Sequence, residues 1–142
     1  MAIDWESTRI EFKEWYREND KKLAVIKDMY TSLVTSILSD RDEFQNPHIE
    51  SRVKELRSCC DKFEKKYLSE FTDNLTVKQV REKLTDLIGI RVICSYEDEI
   101  EKIADVIKDN FKDLGITDKS AKLKDNEFGY KGLHIDVALA NI

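Results

Sequence analysis

Between Leu87 and Ser95 the chain reads LIGIRVICS, an almost continuous apolar, β-branched run with a single charge, Arg91, set into it. Such a run reads as a central strand covered on both faces. It commits the chain to a small sheet packed against helices, whatever else the sequence contains. Arg91 is the misfit: a buried guanidinium either bridges to a structural carboxylate or faces a pocket that takes an anion.

A second strand is written in FGYKGLHIDVAL, Phe128 to Leu139. By parity Leu133, Ile135, Val137 and Leu139 form an apolar face, while Tyr130, His134 and Asp136 point the other way with Gly132 among them. A lone Tyr and His on a half-exposed strand are usually amphipathic surface, yet Tyr130 also suits stacking on a base and His134 bonding a phosphate.

Most of the remainder is helical in period. Ile10, Trp15, Leu23, Ile26, Tyr30, Leu33, Val34 and Ile37 recur at three- and four-residue intervals from Trp5 to about Asp40, as two helices or one broken near Asn19–Asp20. Pro47 bars that helix from continuing. HIESRVK then suits a short strand to about Lys54, followed by a helix through Tyr67, although Ile49, Val53, Leu56, Cys60, Phe63 and Tyr67 also fit one helix. Thr76-x-x-Gln79 is a capping box opening a short helix. Ile100, Ile103, Val106, Ile107 and Phe111 mark a helix from about Glu97 to Asp113, with Gly115 as its C′ residue. A lysine-containing loop, ITDKSAKLKDNE, leads into the last strand.

No repeat, low-complexity tract or linker interrupts the chain. The expectation is one compact α+β domain, with a helical N-terminal part over 1–47 and a core over 48–142. Four Gly and a single Pro, with 37% charged residues, agree with a helix-dominated chain of 142 residues.

A net charge of −5 argues against a protein that grips duplex nucleic acid through an overall positive field. Any anionic ligand must then meet a local basic site. Cys59, Cys60 and Cys94 form neither a disulfide framework nor a CxxC spacing, so they read as reduced packing residues of a cytosolic protein. No apolar run approaches the roughly 18 residues of a membrane span, and MAIDWESTRIEF lacks a signal-peptide layout. The chain is expected to be cytoplasmic.

Two further features stand out. Arg52, Lys54, Ser58 and Lys62, with Lys65 and Lys66 nearby, form a basic row that is either a solvated helix face or a polyphosphate holder. Asp86, just ahead of the central strand, is either a turn residue or a Mg²⁺ ligand on a rigid strand end.

SRVKELRSCCDKFEKK, then DLIGIRVICSYEDEIEKIADVI, then FGYKGLHIDVAL, resemble in order the motifs of the RelA/SpoT synthetase domain over about Ile49 to Leu139. The resemblance implies a nucleotidyltransferase-like mixed β-sheet flanked by helices, which moves pyrophosphate from ATP to the 3′-hydroxyl of GDP or GTP with Mg²⁺. By position, Arg52 would contact the adenine, and Lys54, Ser58 and Lys62 the ATP phosphates. Asp86 would bind Mg²⁺ and Arg91 would support the phosphate region, the two forming the catalytic pair. Tyr130 would stack on the acceptor guanine, with His134 and Lys122 near the acceptor nucleotide. Members of the family often assemble, which makes a homo-oligomer one expectation.

Two departures accompany the resemblance. The family's following strand, with its Glu-x-Gln motif, is not within the 142 residues, so the chain is expected either to continue or to be inactive as it stands. The loop DKSAKLKDNEF is divergent, which leaves the acceptor open between guanine nucleotides, adenine nucleotides and tRNA ends. A non-catalytic guanine-nucleotide-binding module is the remaining alternative.

Overall fold

The computed structural model describes residues 4–44, 47–117, 120–125 and 132–138. Helix α1 spans Trp5–Ser39, strand β1 His48–Val53, helix α2 Leu56–Lys66, helix α3 Val77–Lys83, strand β2 Ile88–Ile93, helix α4 Glu97–Asp113, strand β3 Ala121–Asp125 and strand β4 Gly132–Val137. A 3₁₀ turn, Leu68–Glu70, follows α2. The fold is α+β with a helical N-terminal part.

Helix α1 is a single unbroken element, which corrects the expectation of two helices or one broken near Asn19–Asp20. It contains neither Gly nor Pro, and the Asn19 amide donates to the Trp15 carbonyl at 2.8 Å, which satisfies the side chain inside the helix. Asp4 caps its start by accepting from the Ser7 amide at 3.1 Å. Helix α3 opens on the expected capping box, with Thr76 and Gln79 bonding reciprocally. Helix α4 has the expected bounds and ends before Gly115, whose φ of +78° favours a residue without a Cβ.

The strands lie in the order β1-β2-β4-β3. All three ladders are antiparallel, with Ile90 opposite both Ser51 and Ile135, and Leu123 opposite Ile135 on its other side. The sheet, expected to be mixed, is antiparallel throughout among the described strands. Strands β2 and β3 run in the same direction, joined through α4, but β4 lies between them, so no ladder among the described strands is parallel. Strand β3 itself lies within the segment expected to be a loop. Ala121 turns inward and is buried while Lys122 and Lys124 turn outward, an alternation hidden by the lysines around it.

The sheet has one buried face. Ile88, Ile90 and Val92 of β2, with Leu133, Ile135 and Val137 of β4, are all buried, together with Phe12, Leu23 and Val34 of α1 and Ile103, Ile107 and Phe111 of α4. The parity read for Leu133, Ile135, Val137, His134 and Asp136 is found; Tyr130 and Leu139 lie outside the described residues. The expectation that β2 is covered on both faces is wrong: its burial alternates, and Arg91 is exposed. The run looked uniformly apolar because Gly89 sits among apolar letters without contributing a side chain. Arg91 is therefore not a buried charge.

Phe63 ties the helices together, stacking on Trp5 at 5.0 Å and packing against Phe71 at 5.8 Å and Tyr67 at 6.2 Å between ring centroids. Cys59, Cys60 and Cys94 are free and buried, as expected, and burial pushes the Cys59 thiol up to about 12. It stays a thiol at neutral pH. Because Phe63 is fully buried, Phe63→Ala should lower unfolding free energy by about 3–5 kcal/mol in a urea titration. Phe63→Leu should recover a large part of that loss.

Candidate functional site

Antiparallel register builds the open face of the sheet in rows. Glu50, Arg91, His134 and Lys124 face one another across β1, β2, β4 and β3, and the next row is Arg52, Gly89, Asp136 and Lys122. Gly89 leaves a gap in that second row: a Cβ placed there would meet nothing within 4 Å. Lys124 Nζ lies 2.9 Å from Asp136 Oδ2.

At one end of this face the chain brings a carboxylate between two lysines. Lys54 follows β1 and Asp86 precedes β2, and the Lys54 amide donates to the Leu87 carbonyl at 2.7 Å, which ties the two strand ends together. Lys54 Nζ and Lys62 Nζ then lie 3.0 and 2.9 Å from the same oxygen, Asp86 Oδ2. These three side chains are largely sheltered, with 13%, 21% and 21% of their surface exposed for Lys54, Lys62 and Asp86. Burial alone would raise the Asp86 pKa, but the hydrogen bonds and charges of Lys62 and Lys54 outweigh it and hold the carboxyl below its ordinary range. Asp86 Oδ1 is buried and makes no hydrogen bond. The cluster carries one net positive charge and one uncommitted carboxylate oxygen.

His134 lies among cations. Desolvation lowers its pKa most, followed by Arg91; Arg52 and Lys124 push in the same direction, and Asp136 opposes them. It is held neutral where an isolated imidazole would begin to protonate. Arg52, Arg91, Lys122 and Lys124 outweigh Glu50 and Asp136 in these two rows, so in a chain with net charge −5 the positive balance of this face is local and not a consequence of composition.

The site residues named from the sequence divide accordingly. Lys54, Lys62 and Asp86 form one bonded cluster, while Arg52, Arg91, His134 and Lys122 share the open face. Ser58 is exposed on α2 one turn before Lys62. Tyr130 lies outside the described residues. Lys124 and its partner Asp136 were not assigned from the sequence. The alternation of Lys122 and Lys124 about Leu123 is the signal that pairs them on one face. Among the described residues, no three His, Cys, Asp or Glu side chains gather closely enough to hold a metal by themselves.

A family profile described as the region found in RelA / SpoT proteins matches residues 51–141. GTP pyrophosphokinase YwaC of Bacillus subtilis (strain 168) is 27% identical over 143 residues, covering 96% of this chain and 59% of the relative. The chain thus spans less than two thirds of that protein's length.

The depressed His134 pKa makes a signed prediction. Its side chain should titrate by NMR below an unstructured histidine, so the stability tied to it is present above the unfolded value and is lost as pH falls through the folded one. Arg91→Ala should move the midpoint part of the way back up, because desolvation remains. An unmoved midpoint would show that Arg91 does not act on the ring.

Proposed function

Since this chain belongs to the RelA/SpoT family, we propose that it provides the synthetase chemistry of a protein that transfers pyrophosphate from ATP to the 3′-hydroxyl of GDP or GTP. The observation that carries this reading is the Lys54–Asp86–Lys62 cluster beside an open, cation-lined sheet face. In this reaction the acceptor 3′-oxygen bonds to the β-phosphorus of ATP as the bond from that phosphorus to the α,β-bridging oxygen breaks. AMP leaves, and the hydroxyl proton goes to base or solvent.

The chemistry calls for positioning and charge neutralisation more than for a covalent nucleophile. Lys54 and Lys62, already converging on one oxygen, are arranged to meet phosphate oxygens, and Ser58 would add a hydroxyl on the same face of α2. Arg52 would lie against the adenine. Arg91 and Lys122 would meet phosphates on the open face. His134, held neutral, can donate one hydrogen bond to an acceptor phosphate without adding charge to an already basic surface. Tyr130 is the stacking partner proposed for the acceptor base.

The donor set fits Mg²⁺ in one respect: Asp86 Oδ1 is a buried carboxylate oxygen with no hydrogen bond. A hard cation that keeps waters and takes phosphate oxygens needs only one or two carboxylates from the protein. Bound there, Mg²⁺ would neutralise phosphate charge and polarise the transferred group. The companion GTP pyrophosphokinase YwaC supports a guanine acceptor by its name alone.

The full-length protein with Mg²⁺, ATP and GDP or GTP should release AMP together with a 3′-pyrophosphorylated nucleotide. Asp86→Asn should lower turnover by about 10²-fold or more when assayed well below the variant's unfolding transition; core volume is kept, but Lys54 and Lys62 lose their counter-charge, so some stability is lost as well. AMP release with an adenine nucleotide or tRNA alone would transfer the reading to that acceptor. Guanine-nucleotide binding without AMP release would reduce it to a non-catalytic module.

A further inference from the structure

Lys54 stands at the junction of β1 and α2, where local sequence does little to hold it. Glu55, the residue before α2, makes no side-chain cap. The backbone of Lys54 is nevertheless fixed on both sides. Its amide donates to the Leu87 carbonyl at 2.7 Å, and its carbonyl accepts from the Tyr16 hydroxyl at 2.8 Å and, more weakly, from the Cys59 thiol at 3.7 Å. Tyr16 reaches it from α1, 38 positions earlier in the chain.

We propose that Tyr16 is a positioning residue for Lys54: its hydroxyl, with the Cys59 thiol, anchors the strand end from which the Lys54 amine reaches the phosphate site. This rests on reading Lys54 as a phosphate ligand. Residue 16 lies outside the segment 51–141 that the family profile covers. A lysine amine hangs on a flexible four-carbon stem, so its place in the site is set by where its backbone is pinned. Burial, the first cause, pushes the Tyr16 phenol above its ordinary value, and burial does the same for Cys59. Both donors therefore keep their protons at neutral pH. Helix α1, which otherwise reads as scaffold, thereby becomes part of the site's support.

Tyr16→Phe retains the ring packed against the core and removes one hydroxyl. With the proposed activity in hand, it should raise KM for ATP roughly three- to ten-fold while KM for the acceptor stays put, an effect of the size one hydrogen bond allows. Cys59→Ala should have a smaller effect alone and a more than additive one in the double variant, because the two donors share one acceptor. Hydrogen exchange provides a readout independent of turnover: the Lys54 amide should exchange faster in Tyr16→Phe, while β2–β4 ladder amides do not. Equal rises in both KM values that track a loss of stability would overturn the proposal. Faster exchange at Lys54 in a protein that binds no ATP sinks the nucleotide reading and keeps the anchor. Unchanged exchange sinks the anchor whether or not ATP binds.

Discussion

One-sided burial of an antiparallel sheet is the constraint on which the structure depends. Side chains alternate along every strand, so putting Ile88, Ile90, Val92, Leu133, Ile135 and Val137 against α1 and α4 forces Arg91, His134 and Asp136 to the other side. A register slip of one residue would bury the charges and expose the core, which makes the register strongly specified. The polar face is thus a by-product of packing. It is also the surface on which the charged groups of four strands converge.

Electrostatics then differentiates that surface. Asp86 offsets two lysines that would otherwise repel each other across a sheltered site, and the price of its own burial is met by their hydrogen bonds. In the proposed reading, the carboxylate keeps both lysines in place for phosphates that carry the same sign of charge. Pre-set charges of this kind need little rearrangement when the ligand arrives. His134 shows the opposite balance, since cations and burial together keep it uncharged.

Much of the fold was legible in the sequence because it is encoded locally. The capping box at Thr76, the bounds of α4 and the parity of β4 depend on residues within a few positions of one another. Errors arose where a letter misrepresents its surface. Gly89 counted as apolar and made β2 look buried on both sides, and the lysines of β3 disguised a strand as a loop. The site was legible in its residue types, since a basic row and a lone Asp ahead of a strand were visible without coordinates. Their bonding was not: Lys54 and Lys62 lie 32 and 24 positions from Asp86.

By itself, the sequence determined the alternation of β4, the amphipathic helices and the inventory of charged groups, because periodicity and capping act over a few residues. Tertiary structure alone decided which face of β2 stays open, that Lys54 and Lys62 meet on one oxygen of Asp86, and that Tyr16 holds the Lys54 carbonyl. Those contacts join segments brought together by burial of a shared core. Hydrogen bonds and charges act over a few ångströms of space, and distance along the chain does not record that proximity.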